Sequence, residues 1–196
     1  MLLASGKEKQ KKFIIILRIF EVNLPNILSV SRILLIIPII VFFENGFFLL
    51  SATTFIIASI TDFLDGYIAR KKEQSSDIGA LLDLLADKVF VSVLLIWMTS
   101  NFESLVILLS TILIITREIS VSYLRLFILS RSREIIDTQA DSIGKFKTTL
   151  QMVSLGFLLT SPLLPEYLYQ TFLGLILFSA IISWYSFIRY LNKWIV

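Results

Sequence analysis

The chain has 196 residues, of which 56% are hydrophobic and only 17% are charged, and its mean hydropathy is +0.84. Soluble domains carry about 25% charged residues, so this composition excludes an ordinary soluble protein and indicates an all-α integral membrane protein. There is no Cys and no His, which excludes thiol and imidazole chemistry and leaves carboxylates, basic groups and metals that accept oxygen ligands.

The first 26 residues form a basic segment ahead of the first predicted span. Four lysines between positions 7 and 12 precede an apolar stretch at 13–20, which is too short to cross a bilayer. We expect an amphipathic helix on an anionic membrane surface here, with a disordered basic tail as the alternative. Residues 27–196 are then predicted to form a single membrane domain.

Six transmembrane helices are predicted, at residues 27–43, 47–69, 81–99, 105–129, 148–165 and 167–188. The last two contain no charged residue, whereas the first four do. A charge at the bilayer centre costs about 2.5–3.5 kcal/mol on insertion scales, and by default it marks a functional site. The first, third and fifth connections carry no Lys or Arg, so the positive-inside rule predicts that both termini are cytoplasmic.

Four aspartates surround the connection between the second and third predicted spans. On helices, Asp62 and Asp65 share one face, and Asp83 and Asp87 share another. In an antiparallel hairpin these faces can meet around a gap wide enough for ions and a phosphate. Clustered anions repel one another unless they bind cations, which predicts Mg²⁺ or Mn²⁺, as a pair of ions. The alternative is that the aspartates cap helix ends or pair with Lys88.

Basic residues form a second candidate site later in the chain. Arg117 and Arg125 lie on one side of the fourth predicted span, and Lys145 and Lys147 stand at the start of the fifth. Cations near a metal site suit a second, anionic substrate, because Arg and Lys bind phosphate. The alternatives are a topology signal for the two lysines, and an ion pair between Arg117 and Glu118.

The acidic pattern resembles a known family signature. D-x2-D-G-x2-A-R-x8-G-x3-D-x3-D is typical of the CDP-alcohol phosphatidyltransferase family, and the chain has all eight fixed residues: Asp62, Asp65, Gly66, Ala69, Arg70, Gly79, Asp83 and Asp87. The resemblance implies that Asp62, Asp65 and Asp83 bind metal. It implies that Asp87 binds a second ion and is the general base. It also implies that the CDP group is held by Asp62, Gly66, Ala69, Arg70 and Gly79.

Further residues resemble the branch of this family that uses glycerol 3-phosphate as acceptor. They are 23–26 with Arg32, 117–119 with Ser122 and Arg125, and 144–148 with Gln151. The resemblance implies transfer of a phosphatidyl group from CDP-diacylglycerol to glycerol 3-phosphate, with release of CMP. Arg117, Arg125, Lys145 and Lys147 would bind the acceptor phosphate. Leu84 and Leu126 depart from the usual Pro and Glu of that branch.

The same resemblance implies a homodimer in the inner membrane of a bacterium, with the active site on the cytoplasmic side. Membrane lipid is an expected partner, and nucleic acid is not. Three alternatives stay open. The first is a relative that uses phosphatidylglycerol as acceptor and makes cardiolipin. The second is a membrane carrier with an acidic path, and the third is a family member that has lost catalysis.

Overall fold

The described part of the computed structural model comprises residues 24–72, 77–131 and 142–195, and it consists of helices and short connections. Its α-helices are α1 Leu24–Glu44, α2 Phe48–Lys72, α3 Asp77–Asn101, α4 Leu105–Arg131, α5 Ser142–Leu158 and α6 Glu166–Ile195, with a 3-10 helix at Ser161–Leu163. The predicted interfacial helix at 13–20 lies outside these residues. The predicted all-helical architecture is confirmed for the part that the structure describes.

Four segments within the described ranges are long and apolar enough to cross a membrane. They are Ile27–Glu44, Leu84–Asn101, Leu105–Ile128 and Glu166–Asn192. In α2 the apolar segment is shorter, Phe48–Thr61, because the motif aspartates follow it. The chain is therefore an integral membrane protein by the length and composition of its helices.

The fifth helix ends earlier than the sequence pattern predicts. The predicted span reaches residue 165, but α5 ends at Leu158 and a 3-10 turn follows. Pro162 and Pro165 lie in this stretch. Proline has no backbone N–H to donate, so an α-helix does not continue through this pair.

The six helices form two groups of three. In the first group α1 packs against both α2 and α3, and in the second α6 packs against both α4 and α5. Contacts of α3 with α4 and of α2 with α5 join the groups. At the second junction, a Cβ added to Gly156 would lie 3.4 Å from the Phe55 ring, so the absence of a side chain lets α5 approach α2 closely.

Large apolar side chains cover the outside of the bundle as well as its core. Leu34 is 60% exposed, Leu105 is 67% exposed and Leu126 is 64% exposed. An apolar surface of this kind is unfavourable in water and matches the acyl chains of a bilayer. The core itself is apolar too, with Ile39, Leu94 and other side chains fully buried.

Helices α1 and α3 are tied together at the end where both finish. Glu44 Oε1 accepts hydrogen bonds from Nε1 of Trp97, at 3.0 Å, and from Nδ2 of Asn101. The ring of Phe43 also meets that of Trp97 edge to face, with centroids 5.0 Å apart. The chain then turns through Gly46, whose φ of +80° is one that L side chains rarely adopt.

Candidate active site

Asp87 on α3 faces Arg32 on α1. Nη1 of Arg32 donates a hydrogen bond to Oδ1 of Asp87, and the two side chains form an ion pair. The Arg32 side chain is 1% exposed, whereas that of Asp87 is 44% exposed. Burying an arginine among apolar helices is costly unless an anion pairs with it. The pair therefore anchors a carboxylate that remains accessible from outside the bundle.

The other motif residues are placed by their backbone alone, and their side chains lie outside the described set. Asp62, Asp65, Gly66, Ala69 and Arg70 lie in the last part of α2, and Gly79 and Asp83 lie in the first part of α3. Residues 73–76 join the two helices, so these ends of α2 and α3 lie within about 18 Å of each other. The prediction that the motif lies on two successive helices is thus confirmed.

Carboxylates are the type of ligand that Mg²⁺ and Mn²⁺ prefer, because both ions favour oxygen donors. Of the four motif aspartates only Asp87 has a described side chain, and it carries an accessible carboxylate. The described side chains contain no group of three metal-ligating residues. Convergence of all four carboxylates on metal therefore stays a prediction.

A second polar site lies among α3, α4, α5 and α6, and Glu118 is at its centre. Oε1 of Glu118 accepts hydrogen bonds from Nη1 of Arg117 at 2.6 Å and from Nζ of Lys147 at 3.1 Å. Nζ of Lys88 lies 3.8 Å from Oε2. Three cations from three helices therefore surround one carboxylate, and we call these four residues the Glu118 cluster.

Two serines also accept hydrogen bonds from the cations of the Glu118 cluster. The carbonyl of Ser183 on α6 accepts a hydrogen bond from Nε of Arg117 at 3.2 Å, and its hydroxyl accepts one from Nζ of Lys147 at 3.1 Å. The hydroxyl of Ser122 accepts a hydrogen bond from Lys88. Ser183, Arg117 and Lys147 are all buried, whereas the side chains of Lys88 and Glu118 are partly exposed, so the arrangement extends from the interior of the bundle towards its surface.

The Glu118 cluster has a net positive charge, with three cations and one anion. Arg125 on α4 acts electrostatically on both Lys88 and Lys147. Its Nε is buried and has no hydrogen-bond partner among the described atoms. An excess of buried positive charge is unfavourable unless an anion compensates it. Phosphate is suited to this, because Arg and Lys donate strong charge-assisted hydrogen bonds to it.

The structure brings together only part of the predicted basic site. Arg117 and Lys147 share one carboxylate, Arg125 lies near them, and the side chain of Lys145 is outside the described set. The alternative of an Arg117–Glu118 ion pair is confirmed. Lys88 contacts Glu118 and Ser122 and not, within the described side chains, an aspartate.

Sequence reasoning missed Lys88, Ser122 and Ser183 as members of this site. Lys88 did carry a signal, because it is a cation in an apolar stretch directly after the last motif aspartate. Ser183 carried none, since it lies in a charge-free stretch with several other serines. Its role depends on how α6 packs against α4 and α5.

Comparison with known proteins points to one family. The sequence model of the family described as CDP-alcohol phosphatidyltransferase matches residues 22–188, which include both sites. A Salmonella choleraesuis protein named CDP-diacylglycerol--glycerol-3-phosphate 3-phosphatidyltransferase is 35% identical over 177 residues, covering 88% of this chain and 94% of the relative. Proteins with the same name from Pseudomonas fluorescens and Shigella flexneri serotype 5b are 35% and 34% identical, over 87% and 88% of this chain and 89% and 94% of their own lengths.

Proposed function

Because the chain belongs to the CDP-alcohol phosphatidyltransferase family, we propose that it transfers the phosphatidyl group of CDP-diacylglycerol to glycerol 3-phosphate. The products are phosphatidylglycerophosphate and CMP, and the reaction serves the synthesis of anionic phospholipids. The relatives named for this reaction support this choice of acceptor, because their similarity to the chain extends over most of their length.

The observation that carries the proposal is the adjacency of two sites on α3. Asp87 ends the acidic motif and pairs with Arg32, while the next residue, Lys88, belongs to the Glu118 cluster. Consecutive residues on a helix are 1.5 Å apart along its axis and project about 100° apart, so a nucleotide at the motif and a phosphate at the cluster would lie at the same level of α3, on adjoining sides of the helix. A transferase with two anionic substrates needs such adjacent sites.

Asp87 is the proposed general base. It takes the proton of the acceptor hydroxyl as that oxygen attacks the β-phosphorus of the CDP group. The bond between the β-phosphorus and the bridging oxygen then breaks, and CMP leaves with that oxygen. Arg32 keeps the Asp87 carboxylate in one orientation during this step, because its own guanidinium is buried and fixed between helices.

Asp62, Asp65, Asp83 and Asp87 are the proposed ligands of Mg²⁺ or Mn²⁺, as a pair of ions. When bound, such ions neutralise negative charge on the pyrophosphate. The CDP group is proposed to lie against Asp62, Gly66, Ala69, Arg70 and Gly79. Helix packing against α1 supports this placement, because α1 contacts both helices that carry the motif.

The acceptor phosphate is proposed to bind Arg117, Arg125, Lys145 and Lys147. Two of these, Arg117 and Lys147, are already gathered on a common carboxylate. Arg125 adds a further positive charge nearby. This concentration of donors favours a dianionic phosphate over a neutral acceptor such as serine.

For the membrane arrangement we propose six spans, with both termini and the active site on the cytoplasmic side of a bacterial inner membrane. The basic residues of the connections support this orientation, and the named relatives are bacterial. A homodimer, with CDP-diacylglycerol reaching the site from the surrounding lipid, completes the proposal.

The test is an acceptor panel with the purified full-length chain in detergent or vesicles. CDP-diacylglycerol and Mg²⁺ or Mn²⁺ are supplied with glycerol 3-phosphate, serine, inositol phosphate or phosphatidylglycerol, and CMP release is measured. Among these acceptors, we expect only glycerol 3-phosphate to give CMP release. Release with phosphatidylglycerol alone would make the chain a cardiolipin-forming relative. No release with any acceptor would contradict a catalytic role and favour a carrier or an inactive family member.

A further inference from the structure

Glu118 is an anion inside a site that we assign to an anionic substrate, so its presence needs a reason. A phosphate that approaches Arg117 and Lys147 also approaches the Glu118 carboxylate, which repels it. Because Glu118 repels the substrate, we expect it to stabilise the site in another way.

The distances within the Glu118 cluster show how Glu118 stabilises the cations around it. Arg117 and Lys147 both donate to the same oxygen of Glu118, at 2.6 and 3.1 Å, and Lys88 lies 3.8 Å from the other oxygen. Two buried cations, Arg117 and Lys147, and the partly exposed Lys88 repel one another at this distance unless an anion lies between them. Before substrate binds, Glu118 is therefore what allows the cations to stay together.

Ser183 supplies the second restraint on the same two cations. Its carbonyl holds Nε of Arg117, and its hydroxyl holds Nζ of Lys147. Each cation thus has one contact with Glu118 on α4 and one with α6. Two contacts from different helices fix the direction of a long, flexible side chain much better than one contact does.

We propose that Glu118 and Ser183 are positioning residues that hold Arg117 and Lys147 in the geometry that receives the phosphate of glycerol 3-phosphate. The inference rests on the proposed function. The charges support it, because three cations and one carboxylate leave two positive charges. A phosphate monoester carries about −1.5 to −2 at neutral pH, so the acceptor phosphate offsets most of the excess positive charge of the cluster and the nearby Arg125.

The first test compares Glu118→Gln and Glu118→Asp with the wild type, in the full-length protein. The glutamine has the same shape but no charge, so we expect the KM for glycerol 3-phosphate to rise about tenfold or more, the scale of a lost charge-assisted contact. The KM for CDP-diacylglycerol should change less than about twofold, because only acceptor binding is affected. Glu118→Asp should recover part of the loss.

Inorganic phosphate gives a second readout of the same geometry. It should inhibit the wild type competitively against glycerol 3-phosphate, and its inhibition constant should rise in Glu118→Gln in parallel with the KM. An unchanged acceptor KM in Glu118→Gln, or an equal rise for both substrates, would overturn the proposal. A wild type that does not use glycerol 3-phosphate would refute the proposed function and this inference with it, whereas an unchanged acceptor KM in an active Glu118→Gln variant would refute the inference alone.

Ser183→Ala tests the α6 contact, and Ser179→Ala is its matched control. Both serines are buried on α6, one turn apart, but among the described residues the Ser179 hydroxyl donates only to the carbonyl of Ile176, at 2.7 Å. We expect Ser183→Ala to raise the acceptor KM about three- to tenfold, the scale of one ordinary lost hydrogen bond, because the carbonyl contact with Arg117 is kept. Ser179→Ala should leave it unchanged. Equal effects would indicate general packing and contradict the proposal, and this pair remains decisive if the Glu118 variants fail to fold.

Discussion

The buried guanidinium of Arg32 on α1 holds the accessible carboxylate of Asp87 on α3. The two residues are far apart in the sequence, and the helix between them, α2, carries the first half of the acidic motif. Packing of α1 against both motif helices therefore determines where the last aspartate of the motif lies. The first two predictions test the two members of this pair.

Asp87→Asn should lower the rate of CMP release by about a hundredfold or more, the range of general-base contributions. The amide keeps the size of the side chain but cannot accept the proton of the acceptor hydroxyl. Initial rates at saturating glycerol 3-phosphate measure the effect. Undiminished turnover would exclude Asp87 as the base.

Arg32→Lys should lower kcat about tenfold while the KM for glycerol 3-phosphate stays within about twofold, because the positive charge is kept but the flexible ammonium group does not orient the carboxylate as Nη1 of the guanidinium does. Ser31→Ala is the control, since the hydroxyl of this neighbouring residue donates to the backbone carbonyl of Leu28 and, within the described part of the chain, to no other group. A kcat equal to that of the wild type would show that Arg32 has no orienting role.

Removal of divalent ions should abolish turnover reversibly. Treatment with EDTA is expected to stop CMP release, and added Mg²⁺ or Mn²⁺ should restore it, because the acidic motif offers only oxygen ligands. Thermal unfolding in detergent, measured in parallel, controls for loss of the fold. Full activity in excess chelator would contradict the proposed metal dependence.

Gly156→Leu should destabilise the protein by about 1–3 kcal/mol, the usual cost of overpacking. A Cβ at this position already lies 3.4 Å from the ring of Phe55, so a larger side chain forces α5 away from α2. Gly174→Leu is the matched control, because a Cβ at this helical glycine on α6 has nothing within 4 Å. Thermal unfolding of both variants gives the comparison, and equal stability would contradict the close approach.

Much of the architecture follows from local patterns in the sequence. The lengths of the apolar stretches predicted the helices. The family, which was predicted from eight motif residues, is confirmed by the match over residues 22–188. Helix ends were less predictable: α5 stops at Leu158, well before the charge-free stretch ends.

The site was only partly predictable, for a physical reason. Arg117 and Glu118 are adjacent in the chain, so their ion pair could be anticipated from the sequence. The contacts of Lys147 and Ser183 join α4, α5 and α6, and these require knowledge of which helix faces meet. A serine in an apolar stretch gives no local sign that its hydroxyl holds a cation on another helix.

The hydrogen bonds of Glu44 with Trp97 and Asn101 have a consequence for substrate entry. They tie α1 to α3 at one end, and the Arg32–Asp87 ion pair ties the same two helices about 20 Å away, at 1.5 Å per residue along α3. Two sets of polar contacts this far apart restrain α1 and α3 from sliding along each other and from separating. Entry of a two-chained lipid nucleotide between α1 and α3 is therefore disfavoured, and its expected route is along another side of the bundle.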